Sequence, residues 1–341
     1  MATQDTTAQL KRIILSVAAS SRTLQWIRAN PYLTRLAAAG TVLAVSAVAN
    51  EQLAKRAERT NPPLGDFVEV DGVRLHYIDR GTGAPLVLLH GNGSMIEDFE
   101  SSGLIDLAVE HYRVIAFDRP GFGHSNRPRG TVWTADAQSD LIHAALAQIG
   151  VSRAVVLGHS WGASVAMALA LRHPRAVSGL VLASGYYFPT PRLDMVMVSG
   201  PAVPVLGDIM RYTIAPIVNR LMWPLLLRKI FGPAPIPEKF EGFPREMAVR
   251  PSQIRAEAAE SALLIPVAAT AAAHYGELKM PVAILAGAGD RLIDPESQSG
   301  RLHQVVAHST YRCLEGSGHM VHQTDPVAVM SAIDEVTGRE A

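Results

Sequence analysis

From residue 67 onward the apolar positions follow two alternating periods. Residues 67–70 and 73–79 alternate apolar and polar side chains on either side of Asp71-Gly72, which predicts two strands joined by a tight hairpin. The runs 85–90, 113–118, 153–157, 177–183 and 281–286 are short and rich in Val, Leu, Ile and Ala, and 309–315 is a further short run. They predict strands, the most continuous of them buried on both faces. Helical spacing falls between them, at 97–110, 134–149, 163–172, 295–306 and 326–336, with Thr134 as an N-cap and Gly150 as a stop. Strands alternating with helices after an initial hairpin predict an α/β fold: a mostly parallel central sheet with helices on both faces.

Residues 186–275 break the alternation. They are rich in Pro, Met, Leu and Ile and carry helical stretches at 216–231 and 251–264. So long an insertion between two core strands predicts a helical cap over a site, with the core formed by 61–185 and 276–341. Trp223, Met210, Met222 and Phe231 are its candidates for lining an apolar pocket, set against service in the cap's own core.

Residues 1–60 have another character. Leu10, Ile13, Ile14 and Val17 recur at helical spacing among Lys11, Arg12, Arg22 and Arg28, a basic amphipathic pattern suited to a membrane surface. Residues 36–49 are uncharged, small and apolar, a run shorter than a comfortable spanning helix. Membrane association through residues 8–50 is the first expectation. A helix packed on a soluble cytoplasmic domain is the second, and an export signal cleaved after Ala47-Val48-Ala49 the third. If the segment spans, the basic excess before Leu36 places that end in the cytoplasm. Asn61-Pro62-Pro63-Leu64-Gly65 marks the boundary with the main domain.

Composition narrows the field. The chain has 341 residues, 48% of them hydrophobic and 18% charged, enough for a large core. Formal net charge is zero, which argues against nucleic acid as a partner. The lone Cys313 excludes an intramolecular disulfide. Neither C-x-x-C nor H-E-x-x-H occurs, so the sequence makes no case for a metal.

The candidate chemistry sits in Gly158-His159-Ser160-Trp161-Gly162, between the strand at 153–157 and the helix at 163–172. A strand, a sharp turn with Ser at its apex and a helix make a nucleophile elbow. Serine needs a base to take its proton and an acid to orient that base. His319, in the loop after the last strand, has the best placement for the base, with His322 as its rival. Asp290 follows the strand at 281–286 and is the candidate acid; Asp294 is its rival and suits a helix cap. Two backbone N–H groups should hold the developing oxyanion, those of Trp161 and Asn92. Asp118, beside Arg119, reads as a structural ion pair or turn bond.

His90-Gly91-Asn92-Gly93, the run from Asp118 to Ser125, the Ser160 pentapeptide, Gly287-Ala288-Gly289-Asp290 and Gly318-His319 occur in one order. In that order they resemble the α/β-hydrolase superfamily, from about residue 67 to the C-terminus. The resemblance implies Ser160 as nucleophile, Asp290 as acid and His319 as base, with no cofactor. Serine rather than aspartate at the elbow counts against the epoxide-hydrolase and haloalkane-dehalogenase branches. Ser-Trp-Gly is similar to proline iminopeptidases, which carry Gly where this chain has His159. The first expectation is hydrolysis of an ester or related acyl bond in a small hydrophobic molecule. Acyl transfer, perhydrolysis of the metal-free haloperoxidase type, carbon–carbon cleavage or aminopeptidase action on the same site are the alternatives, with silent binding at a membrane last. The sequence leaves the oligomeric state open.

Overall fold

The computed structural model describes residues 31–192 and 198–339. The basic amphipathic pattern at Leu10 to Arg28 lies outside them. The chain divides into two units, residues 1–49 and 50–341. In the first, residues 31–49 form the leading part of helix α1 (Pro31–Thr60). The most apolar window of α1 has a mean hydropathy of 1.5 and none of it is buried. Thirty residues reach about 45 Å, against a hydrocarbon layer of roughly 30 Å.

The second unit begins with the rest of α1, where Asn50, Ala54 and Ala57 are buried. Then follow β1 (Asp66–Val70), β2 (Val73–Arg80), β3 (Ala84–Leu89), α2 (Ile96–Ser102), α3 (Leu104–Ala108), β4 (Tyr112–Phe117), α4 (Ala135–Gln148), β5 (Ala154–His159), α5 (Trp161–Arg172) and β6 (Val177–Ala183). The insertion contributes α6 (Leu206–Tyr212), α7 (Ala215–Phe231), α8 (Arg245–Ala248) and α9 (Pro251–Ala271). The chain returns through β7 (Val282–Gly287), α10 (Arg301–Val305), β8 (Ser309–Leu314), α11 (Val321–Thr324) and α12 (Pro326–Thr337).

The eight strands form one sheet in the order β1-β2-β4-β3-β5-β6-β7-β8. β1 and β2 pair antiparallel, as do β2 and β4; the other neighbours are parallel. The mostly parallel α/β sheet expected from the residue pattern is therefore present, as the resemblance also implied. Side chains alternate between two cores. Val87, Leu89, Val156 and Ile284 enter one, while Leu86, Leu88, Val155, Leu157 and Leu285 enter the other. A strand buried on both sides has no polar face, which is why these runs read as continuous apolar stretches.

Three predicted elements differ in detail. The helix expected over 97–110 is two helices, split where Gly103 adopts φ 77. The helix over 251–264 continues through Pro266 to Ala271. Pro266 and Ala262 lie on the exposed side, where water takes the carbonyl that proline leaves unpaired. The helix over 295–306 opens as a π turn, Glu296–Gly300, before α10. The hairpin turn is as expected, with φ 49 at Asp71 and φ 75 at Gly72. Thr134 caps α4 by accepting the Ala137 N–H at 3.1 Å.

Candidate active site

Strand β5 runs straight into Ser160, and α5 begins at the next residue. Ser160 has φ 53 and ψ −119, a conformation that costs a side-chain-bearing residue about 1–3 kcal/mol. Close packing of the strand and helix enforces the turn. A Cβ on Gly162 would lie 2.1 Å from the Leu89 carbonyl oxygen, so glycine is required there. The result is a hydroxyl at the carboxyl end of a central strand, where loops from several strands converge.

His319 comes from the loop after β8. Its backbone N–H donates to Ile230 O of α7 at 2.8 Å, which ties the loop to the insertion. Its Nε2 stands 2.9 Å from Ser160 Oγ, and its Nδ1 stands 2.7 Å from Asp290 Oδ2. The second Asp290 oxygen accepts the backbone N–H groups of Leu292 at 2.8 Å and Ile293 at 3.0 Å. Those two bonds fix the carboxylate plane, and the carboxylate in turn fixes the imidazole. The structure thus brings Ser160, His319 and Asp290 into one hydrogen-bonded line. The rivals lie elsewhere. Asp294 caps the π turn by accepting the Ser297 N–H, and the Ser297 side chain, followed by that N–H, lowers its pKa. His322 is fully buried, with Nε2 3.1 Å from Asp98 Oδ1.

The loop after β3 lies against the elbow. A Cβ on Gly91 would come within 3.2 Å of Ser160 Cβ and 3.0 Å of His159 Nδ1. The Gly91 carbonyl accepts from Arg119 Nη2 at 2.9 Å and lies 2.8 Å from His90 Nδ1. In a trans peptide the C=O and N–H bonds point in opposite directions, so the Asn92 N–H points away from Arg119. The Asn92 side chain is held by Glu257 O and Ser261 Oγ, both at 3.1 Å. Trp161 is the first residue of α5, and the first N–H groups of a helix have no acceptor within it.

Of the two readings of Asp118, the turn bond is the one present: its carboxylate accepts the N–H of His124 in the following turn and the N–H of Ile96, and lies against His76 Nδ1, while it forms no pair with Arg119. Arg119 instead reaches Glu260 of α9 at 2.6 and 3.0 Å and Gln138 of α4 at 2.9 Å. It also donates to His90 O at 2.7 Å. One fully buried guanidinium therefore holds both carbonyls that set the direction of the loop. Burial and the neighbouring Arg119 charge push the His90 pKa down to about 3, so that ring is neutral.

Behind His319 lies a buried column that the motifs do not reveal. His159 Nε2 is 3.1 Å from the His319 carbonyl oxygen, and the His159 ring lies 4.3 Å from that of His322. Burial, followed by the two neighbouring histidines, lowers the His159 pKa and favours the neutral ring. Asp98 closes the column, accepting Ser94 Oγ at 2.9 Å and Gln323 Nε2 at 2.9 Å. Burial opposes its charge, but the field and hydrogen bond of His322 prevail and hold its carboxyl well below the usual range. The nearest ligand atoms of Asp98, His159 and His322 lie within 4.8 Å of one another. Asp98 and His159 already have protein partners, as befits a support for the His319 loop.

The insertion's apolar residues divide. Phe231 is buried with Phe240, Phe243 and Met247, and Trp223 stacks on Phe243 at 6.0 Å. These serve the insertion's own core. Met222 faces outward.

A family model described as the alpha/beta hydrolase fold matches residues 84–326. The chain belongs to the α/β-hydrolase family. Its curated relatives include carbon–carbon hydrolases, haloalkane dehalogenases and an acetyltransferase component of an acetoin-cleaving system. It is 35% identical over 151 residues to a 2-hydroxymuconate semialdehyde hydrolase from a Pseudomonas species, covering 43% of this chain and 53% of that protein. It is 34% identical over 122 residues to haloalkane dehalogenase 2 from Mycobacterium bovis, covering 36% of this chain and 42% of that protein. The chain thus spans about half the length of the curated relatives it matches. Among solved structures it is similar to a membrane phospholipase A described as a bacterial virulence factor. The TM-score is 0.63 at 23% identity, covering 97% of this chain and 99% of that one, a likeness of fold.

Proposed function

We propose that this hydrolase cleaves a carboxylic ester, or a related acyl bond, of a hydrophobic molecule through an acyl-enzyme. One observation carries the reading: an elbow serine 2.9 Å from a histidine that is itself 2.7 Å from a twice-anchored aspartate. Ser160 Oγ attacks the carbonyl carbon as His319 Nε2 takes its proton. Asp290 keeps the His319 Nδ1 proton in place and stabilises the imidazolium. The N–H groups of Trp161 and Asn92 receive the oxyanion. His319 returns the proton to the leaving alkoxide, and water, deprotonated by the same imidazole, releases the acid. Residues 186–275 act as the cap. The apolar helix at 31–49 anchors the enzyme to a membrane, which suits a membrane-derived substrate.

A second reading, carbon–carbon hydrolysis, is favoured by the 35% identity to the semialdehyde hydrolase. Dehalogenation is disfavoured despite the second relative, because that chemistry uses a carboxylate nucleophile and Ser160 offers a hydroxyl. Fluorophosphonate labelling separates enzyme from silent fold. Wild type should label and Ser160→Ala should not; an unlabelled wild type would sink the reading. Turnover of p-nitrophenyl esters of graded chain length then supports ester hydrolysis, whereas turnover of a vinylogous diketone alone supports the second reading.

A further inference from the structure

Helix α7 is apolar on two sides. Its inner side carries Trp223, Leu227 and Ile230, packed on the aromatic cluster of the insertion. Beginning at its N-cap, Ile214, Ile217, Val218, Leu221, Met222 and Leu225 recur at intervals of three and four residues, which is one continuous helical stripe. A stripe of this kind ordinarily faces a core. Here every member is exposed, Leu221 at 73% and Leu225 at 54%. Leu206 and Ile209 of the neighbouring α6 extend it, at 56% and 50%. An exposed apolar surface of this continuity marks a contact rather than chance exposure.

The start of the main unit indicates which contact. Asn50 is held at the junction of α6 and α7. Its Nδ2 donates to Tyr212 O at 3.0 Å and Thr213 O at 2.9 Å, and its Oδ1 accepts from Arg220 Nη1 at 2.9 Å. Asn50 directly follows in sequence the uncharged apolar helical run that ends at Ala49. Arg228 and Lys229, both exposed, follow at the end of α7, where phosphate groups would meet them.

We propose that the outer stripe of α7, with the adjoining residues of α6, lies in the interfacial layer of a phospholipid bilayer. The proposal rests on the membrane-anchored part of the reading above and extends it. The main unit does not hang from its anchor but lies on the lipid by an apolar face. The same helix reaches the chemistry at its other end, through the Ile230 carbonyl that accepts the His319 N–H. A substrate with acyl chains would then reach the enzyme along the surface on which α7 rests.

The test uses the full chain in phosphatidylcholine–phosphatidylglycerol vesicles. In a Cys313→Ser background, Leu221→Cys carries an environment-sensitive nitrobenzoxadiazole label, and Glu110→Cys carries the same label as a control. The 221 label should shift to the blue and be quenched by spin-labelled lipid, and the 110 label should do neither. The pair Leu221→Glu and Leu225→Glu should cut hydrolysis of a vesicle-borne ester about tenfold or more, as loss of buried leucine surface predicts. Hydrolysis of a short soluble ester should be unchanged. A 221 label that stays water-exposed on vesicles overturns the proposal. So does shielding that grows with protein concentration but ignores the lipid quencher, because a second copy then covers the stripe. Quenching does not depend on turnover, so failure of ester hydrolysis would count against the proposed activity alone.

Discussion

Arg119 and Glu260 stand 141 positions apart in the chain, yet their side chains meet through two hydrogen bonds at 2.6 and 3.0 Å, both fully buried. The pair joins the loop that approaches Ser160 to a helix of the insertion. Glu260 also faces Arg127 at 3.7 Å, so removing Glu260 strands two buried guanidinium groups, and removing Arg119 leaves Glu260 with that weaker contact alone. Glu260→Leu or Arg119→Met alone should each lower unfolding free energy by about 3–5 kcal/mol. The double variant should recover much of that loss in denaturant titrations. It should nevertheless remain slower, by up to about a hundredfold in kcat, because nothing then holds the His90 and Gly91 carbonyls of the loop beside Ser160. Full recovery of both stability and rate would remove Arg119 from any role in aiming the loop.

Asp290→Asn keeps the shape of the acid but favours the wrong tautomer of His319. Ester turnover should fall about ten-thousand-fold with little change in melting temperature. Asp294→Asn should leave turnover within about twofold, since it loses only part of a cap interaction. Steady-state kinetics on the two purified variants decides between the carboxylates.

Glu257 provides a pH signature. Burial, and after it the charge of Glu260, raises its pKa from 4.5 to about 7. The folded state holds this proton more tightly than the unfolded chain does. The contribution to stability is therefore complete below pH 4.5 and is lost as pH rises through about 7. Glu257→Gln should match wild type in mild acid and exceed it in urea melts at about pH 8. A gap that narrows as pH rises would contradict this assignment. His90 acts in the opposite sense. Its lowered pKa contributes stability above the ordinary histidine range that is lost as the pH falls toward about 3.

Gly162→Ala would place a methyl group 2.1 Å from the Leu89 carbonyl. The elbow cannot yield without moving β3. Poor soluble yield and a melting temperature lower by several degrees are the expected result, read by calorimetry on whatever folds.

Much of this was legible in advance, because the strands carry their own signal. Two-sided burial makes β3, β5 and β7 apolar throughout, and the chemistry follows at their carboxyl ends as short Gly-rich motifs. Asp290 and Asp294 were separable in principle, since a residue preceding Pro295 is suited to capping. What was hidden depends on distance along the chain. Nothing near Arg119 signals Glu260, and nothing near His159 signals Asp98 and His322. Asp118 makes the turn bond and not the ion pair with Arg119, because neighbours in sequence at a strand end point to opposite sides. The passage of α9 through Pro266 was unreadable because a proline's cost depends on which face of the helix it occupies. The stripe on α7 was visible as a periodicity, but only the fold shows that it points outward.

The backbone at Ser160 carries a last implication. Glycine would occupy φ 53, ψ −119 with far less strain. Ser160→Gly should therefore yield a protein that is chemically inert and melts higher than the native enzyme. The proposed nucleophile is the residue that this framework would discard first if folding were its only task.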